Sequence, residues 1–218
     1  MFQETYMFHR FRDKNGLETG QGSFSGLELE RFILKHGIDK FIKHEDIVSF
    51  RHDREIKTRK ICLTFDDGLS SQFQIAKPIL DKYGIKGFWF IYTKIFDESM
   101  EATEILSYII VRFYKSFQEF YPEFEKHIPP KRLNWSSPDF LMYEKKIESL
   151  FGFYSLADKK FRFLRDFVLS KEEFNDIVQE FMKANGLNQK KLLREIWMRE
   201  RDICKLAEDG HEVGLHSH

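Results

Sequence analysis

A chain of 218 residues with 42% hydrophobic and 32% charged positions is long enough and apolar enough to bury a sizeable core, which excludes disorder as its general state. Its 24 phenylalanines enlarge that core, and 35 basic side chains balance 35 acidic ones, so no global field draws the protein to nucleic acid or anionic lipid. Partners must be met at a local site.

The opening stretch MFQETYMFHRFRDKNG has no basic segment leading into an apolar one, and no window of about 18 uninterrupted apolar residues follows. These features read as a cytoplasmic chain without a transmembrane segment. Cys62 and Cys204 lie far apart, outside any CxxC pattern, and both are expected to be reduced and buried.

In chain order, ETYMFHRF predicts a short strand, followed by a loop from Asp13 to Ser25. In GLELERFILKHG the residues Leu29, Phe32, Ile33 and His36 recur at helical spacing, with Gly37 as the C-terminal cap. KICLTF predicts a buried parallel strand, because both of its faces are apolar until Asp66 and Asp67 begin. Ser70 or Ser71 then caps a helix carrying Phe73, Ile75, Ala76, Ile79 and Leu80, bent at Pro78 and ended by Gly84. IKGFWFIY predicts a second buried strand. Strand, helix and strand in that order and length form a βαβ unit, whose functional groups sit at the carboxyl ends of its strands.

From residue 97 to residue 188 the pattern is helical throughout. Leu106, Ile109, Ile110, Phe113, Phe117, Phe120 and Phe124 form one stripe interrupted at Pro122. Ser137 and Pro138 start another helix, and Ser170 with Glu173 reads as a capping box on a helix that ends at Gly186. Such stripes are core, so no chemistry is assigned to these phenylalanines. A lid over a cleft and a surface for self-association into a homo-oligomer are both compatible with this lobe. QKKLLREIWMRERDICKLAEDG then predicts one helix with Leu193, Ile196, Ile203 and Ala207 inward, and HEVGLHSH predicts a strand running into histidines.

Adjacent carboxylates at a strand end point different ways, so one can bind a cation while the other takes a proton from water or contacts substrate. The same Asp-Asp-Gly-Leu-Ser stretch also suits an Asp pair that caps the following helix. Spacing alone leaves these two readings level. The His216-Ser217-His218 cluster at another strand end favours the metal, because imidazole and carboxylate from separate strands make a zinc-type site.

LTFDDG, then ILDKYGIKGFWFI, then LAEDGHEVGLHSH resembles the polysaccharide deacetylases, the NodB-homology or carbohydrate esterase family 4 proteins, in which TFDDG is followed by an H-[S/T]-x-x-H motif. The opening MFHRF is similar to the YHR start of the barrel-type members. The resemblance covers roughly residues 5 to 96 and 190 to 218 and implies an α/β fold. That fold is a deformed (β/α) barrel, incomplete at the C-terminus, with an α-helical insertion; its segments are 1–96, 97–188 and 189–218. It implies that Asp66 is the general base, that Asp67 and His216 are metal ligands, and that Thr64, Gly68 and Ser217 shape the loops. The cofactor implied is a divalent metal, zinc first, with cobalt or nickel as alternatives. The activity implied is hydrolytic N-deacetylation of an N-acetylated sugar or oligosaccharide.

The departures are specific. The second histidine of H-[S/T]-x-x-H would fall beyond His218, and the later arginine and Leu-x-His segments of the family have no counterpart, so the chain reads as the N-terminal part of a deacetylase cut within its metal motif. A catalytically incomplete glycan- or partner-binding protein and a metal amidase on another substrate remain alternative readings. His9 is a candidate for the same strand-end mouth, and Trp89 or Tyr92 for stacking on a sugar ring, with core packing as the competing role. His211 reads as a structural turn residue; His36, His44 and His52 read as solvated or capping.

Overall fold

The computed structural model describes residues 2–12, 23–53, 59–93, 96 and 102–216. They form two compact units, one of residues 1–99 with 190–218 and one of residues 100–189.

The first unit is α/β, built on a four-stranded, wholly parallel sheet in the order β1-β4-β5-β6, with β1 Phe2–Phe8, β4 Lys60–Asp66, β5 Phe88–Ile91 and β6 Glu212–Leu215. A two-stranded parallel pair, β2 Phe11–Arg12 with β3 Phe24–Ser25, follows β1. Helix α1, Gly26–His36, starts in a capping box: Ser25 Oγ accepts from the Glu28 amide and Glu28 accepts from the Ser25 amide. Its Leu29 and Ile33 are fully buried against the sheet, and Gly37 ends it at φ 93°, a conformation that favours glycine. Helix α2, His44–Asp53, precedes β4. Strand β4 is almost continuously buried, as its unbroken apolar run requires between two neighbours.

The link from β4 to β5 departs from expectation. Ser71 makes no side-chain cap; its Oγ instead accepts the Phe11 amide at 3.4 Å, and Ser70 Oγ donates to the Glu195 carbonyl. A wide helical turn, Gln72–Ala76, closes with the Lys77 amide on the Gln72 carbonyl, and α3, Lys77–Lys82, continues from it. Pro78 sits at the start of α3, where its missing N–H costs little.

The single helix expected after residue 189 is two: α9, Gln189–Ile196, and α10, Glu200–Glu208. Between them Trp197 pairs antiparallel with Leu69, and the Met198 amide donates to the Gly68 carbonyl at 2.8 Å. That tertiary ladder is stronger locally than helix propensity. The inward residues are accordingly Leu192, Ile196 and Leu206, while Leu193 and Ile203 are half-buried and Ala207 is exposed. The cysteine expectation also needs correcting. Cys62 is buried in β4, where burial pushes its thiol up to about 12, but Cys204 is exposed on α10.

The second unit is all helical: α4 Ala102–Phe113, α5 Phe117–Glu125, α6 Pro138–Leu150, α7 Leu156–Phe163 and α8 Lys171–Ala184. The expected stripe breaks at Ser116, which caps α5 by accepting the Glu119 amide, and Pro122 is accommodated inside α5. Phe113 is left exposed. Phe120, Phe124, Phe161, Phe174 and Phe181 meet mostly edge to face in the core, with centroid separations of 5.3 to 6.3 Å. Helix α7 was not anticipated, although Ser155 and Asp158 form a capping box at its start.

Candidate functional site

Three parallel strand ends supply the cluster. Residue 66 closes β4, residue 9 follows β1, and residue 216 follows β6, its amide donating to the Ile91 carbonyl at 3.0 Å. Because the sheet is parallel, these ends lie on one edge of the unit. His9 Nε2 lies 3.9 Å from Asp66 Oδ2 and 3.9 Å from Asp67 Oδ2, and His216 Nε2 lies 3.4 Å from Asp67 Oδ1. Of the expected residues, Asp66, Asp67, His216 and His9 are thus brought together.

Their exposures differ in a way that bears on chemistry. The Asp66 side chain is 9% exposed, whereas those of Asp67, His216 and His9 are 33%, 38% and 42% exposed. A nearly buried carboxylate thus stands beside three solvent-reachable side chains.

The turn that separates the two carboxylates is held in a costly conformation. Asp67 has φ 72° and Gly68 φ 65°, two left-handed residues in succession. For a non-glycine residue this is uncommon, though aspartate tolerates it better than most. At Gly68 a Cβ would also stand 3.2 Å from Ile91 Cδ1. The Met198–Gly68 bond and the Leu69–Trp197 pairing hold this turn from the far side.

The remaining expected residues are placed elsewhere. Thr64 stays within β4, half-buried and in register with Met7 and Phe88. Trp89 is not available to a sugar: it is fully buried, because its register with Phe65 turns it to the core, where the rings stack at 4.1 Å and 16°. Ser217, like His218, lies outside the described residues. His211, expected in a turn, is fully buried. Its Nδ1 accepts the Gly87 amide at 3.1 Å, so Nε2 carries the proton and points toward Asp81 at 3.6 Å. Burial, then the Lys86 charge, lower its pKa to about 4, against the opposing attraction of Asp81.

The sequence reading missed Gln72. It is fully buried, and its Nε2 donates to the His9 carbonyl at 2.7 Å and to the Asp66 carbonyl at 2.5 Å. A signal existed: Gln72 falls in line with Ala76 and Leu80 at steps of four, a polar residue inside the buried stripe.

Ligand chemistry can be tested against this geometry. Zinc with bonds of about 2.0 to 2.1 Å in a tetrahedron separates its ligand atoms by about 3.3 Å. Asp67 Oδ1 and His216 Nε2, at 3.4 Å, fit one edge of such a polyhedron. Among the described residues no group of three or more His, Cys, Asp or Glu side chains is arranged to hold a metal ion. The fit is therefore of a two-donor edge.

Comparison with known proteins gives the following. No protein-family model matches the chain. YxkH of Bacillus subtilis (strain 168), provisionally named a polysaccharide deacetylase, is 26% identical over 98 residues, 45% of this chain and 34% of YxkH. The chain thus spans about a third of the length of that curated relative. Among solved structures, a de-N-acetylase from Aggregatibacter actinomycetemcomitans is 14% identical with a TM-score of 0.34, over 45% of this chain and 40% of the other. IcaB from Ammonifex degensii is 21% identical with a TM-score of 0.32, over 41% and 37%. The deacetylase PplD of Streptococcus pyogenes, solved with acetate, is 18% identical with a TM-score of 0.35, over 54% and 50%. Those scores are too low to superpose the chain on any of the three folds. The match in sequence to YxkH, over 45% of this chain, makes the chain similar to a polysaccharide deacetylase.

Proposed function

We propose that the α/β unit carries a metal-dependent site for hydrolytic N-deacetylation of an N-acetylated sugar, in a glycan or a glycan precursor. The observation that carries this reading is the meeting of Asp67 and His216 at 3.4 Å beside the nearly buried Asp66. The name of YxkH supports the reaction class. On this reading the parallel sheet is an arc of a deformed (β/α) barrel, with the strand-end edge as its catalytic mouth.

Asp67 and His216 would hold the cation, zinc first and cobalt or nickel as alternatives. When bound there, a divalent cation supplies Lewis acidity that polarises the acetamide carbonyl. On this reading Asp66 accepts a proton from the water that attacks the carbonyl carbon, and its low exposure supports that role by limiting competing solvent. His9, facing both carboxylates, orients Asp66 or shares that proton. As the C–N bond breaks, the sugar nitrogen takes a proton and acetate leaves. A cytoplasmic precursor, lipid- or nucleotide-linked, is the substrate form proposed; activity confined to polymeric chitin or peptidoglycan would overturn that part.

The test is product release. With added zinc, the protein should release acetate from N-acetylglucosamine oligomers, lose this with a chelator, and lose it in Asp66→Asn. Ammonia release from simple amides without acetate release would contradict the deacetylase reading.

A further inference from the structure

We propose that Gln72 is the positioning residue that sets the separation between His9 and Asp66, by tying together the carboxyl ends of β1 and β4. The proposal rests on the reading of Asp66 as the proton acceptor and names the residue that holds its neighbour in place.

The geometry is specific to a primary amide. One side-chain nitrogen donates to two backbone carbonyls, those of His9 and Asp66, at 2.7 and 2.5 Å. These are the same two residues whose side chains face each other at 3.9 Å. An NH2 group has two protons and can serve both acceptors at once, a hydroxyl has one, and a carboxylate has none. A lysine ammonium could donate to both, but it would add a charge beside the Asp66–Asp67 pair. The amide supplies the bonds without altering the charge there.

Among the described residues the Gln72 side chain makes no other hydrogen bond. It is fully buried, and its Oε1 has no hydrogen-bond partner among the described residues. Leaving a buried acceptor unpaired is unfavourable, so the amide is kept in the Ala76–Leu80 stripe against that cost by the two bonds it donates. The adjacent Ser71 reinforces the tie, its Oγ accepting the amide of Phe11 two residues past His9. The wide turn over Gln72–Ala76 begins at this residue, and such turns often mark functional positions.

The test uses the imidazole resonances of His9 and His216, assigned by single substitution, in the 218-residue chain without metal. Asp66→Asn should shift the His9 signal, and Asp67→Asn should shift that of His216. In a Gln72→Met background the His9 response to Asp66→Asn should fall by at least about half, while the His216 response to Asp67→Asn stays as it was, since Gln72 does not reach that pair. An undiminished His9 response would overturn the proposal. So would a parallel loss of both responses, which a general loosening would produce. Should Gln72→Met fail to fold, the equally uncharged Gln72→Leu is read by the same two responses. Neither metal uptake nor acetate release enters this experiment, so the deacetylase reading stands or falls separately.

Discussion

Acidification should weaken the α/β unit through His211, and the size of the effect follows from its surroundings. The imidazole is fully buried, accepts the Gly87 amide through Nδ1, and has its pKa lowered from 6.5 to about 4. Because the folded value is the lower one, the unfolded chain binds the proton more readily. The contribution is fully present above pH 6.5 and is lost as pH falls from there toward 4. The whole interval corresponds to about 3 kcal/mol, and about 2 kcal/mol of it is lost by about pH 5, where the unfolded imidazole is almost fully protonated and the folded one about a tenth so. The control is His211→Asn, whose Oδ1 can still accept the Gly87 amide but cannot titrate. Urea unfolding at about pH 7.5 and about pH 5 is followed by the fluorescence of Trp89 and Trp197, in a Trp135→Phe background that leaves no tryptophan in the helical unit. The protein with His211 should lose about 2 kcal/mol more than His211→Asn on the same change of pH, because carboxylate titrations are common to both and cancel. Equal losses would refute the reasoning.

Other outcomes follow from single contacts. Trp89→Ala should cost about 3 to 5 kcal/mol in urea unfolding, because it removes the ring stacked on Phe65 in a filled core; a loss of sugar affinity with stability unchanged would restore Trp89 as a binding residue. Gly68→Ala should cost about 1 to 2 kcal/mol, since it places a side chain at φ 65° and 3.2 Å from Ile91 Cδ1, and unchanged stability would contradict that turn geometry. A thiol reagent should label Cys204 at once and Cys62 only on unfolding; fast labelling of both would contradict the burial of β4.

What was legible in the sequence, and what was not, has a physical pattern. Strand β4 could be read because its apolar residues occupy both faces, and α8 because Ser170 and Glu173 mark its start. The parallel pairing of β4 with β5, which sets Asp66 and Asp67 at the functional strand end, follows from strand–helix–strand order; that β6 lies parallel beside β5 and brings His216 to the same edge is seen only in the structure. Breaks set by tertiary bonds were not readable. Nothing local in REIWMRERD announces that Trp197 and Met198 leave the helical path to pair with Leu69 and Gly68. The same holds for Ser70 and Ser71, good capping residues by type, whose hydroxyls are taken by partners far along the chain. Trp89 misled because its position at a strand end suggested exposure, whereas register with Phe65 decides its face. Gln72 was visible as a polar residue in an apolar stripe, but its two acceptors are backbone atoms, which sequence does not display.

The most direct test of the central claim is a calorimetric titration of zinc into the metal-free protein. The site described here should take up one zinc per chain, and Asp67→Ala and His216→Ala should each weaken binding by at least the about tenfold that even outer ligand-sphere losses cost. Absence of uptake, or uptake that neither substitution alters, would contradict a metal held between the ends of β4 and β6.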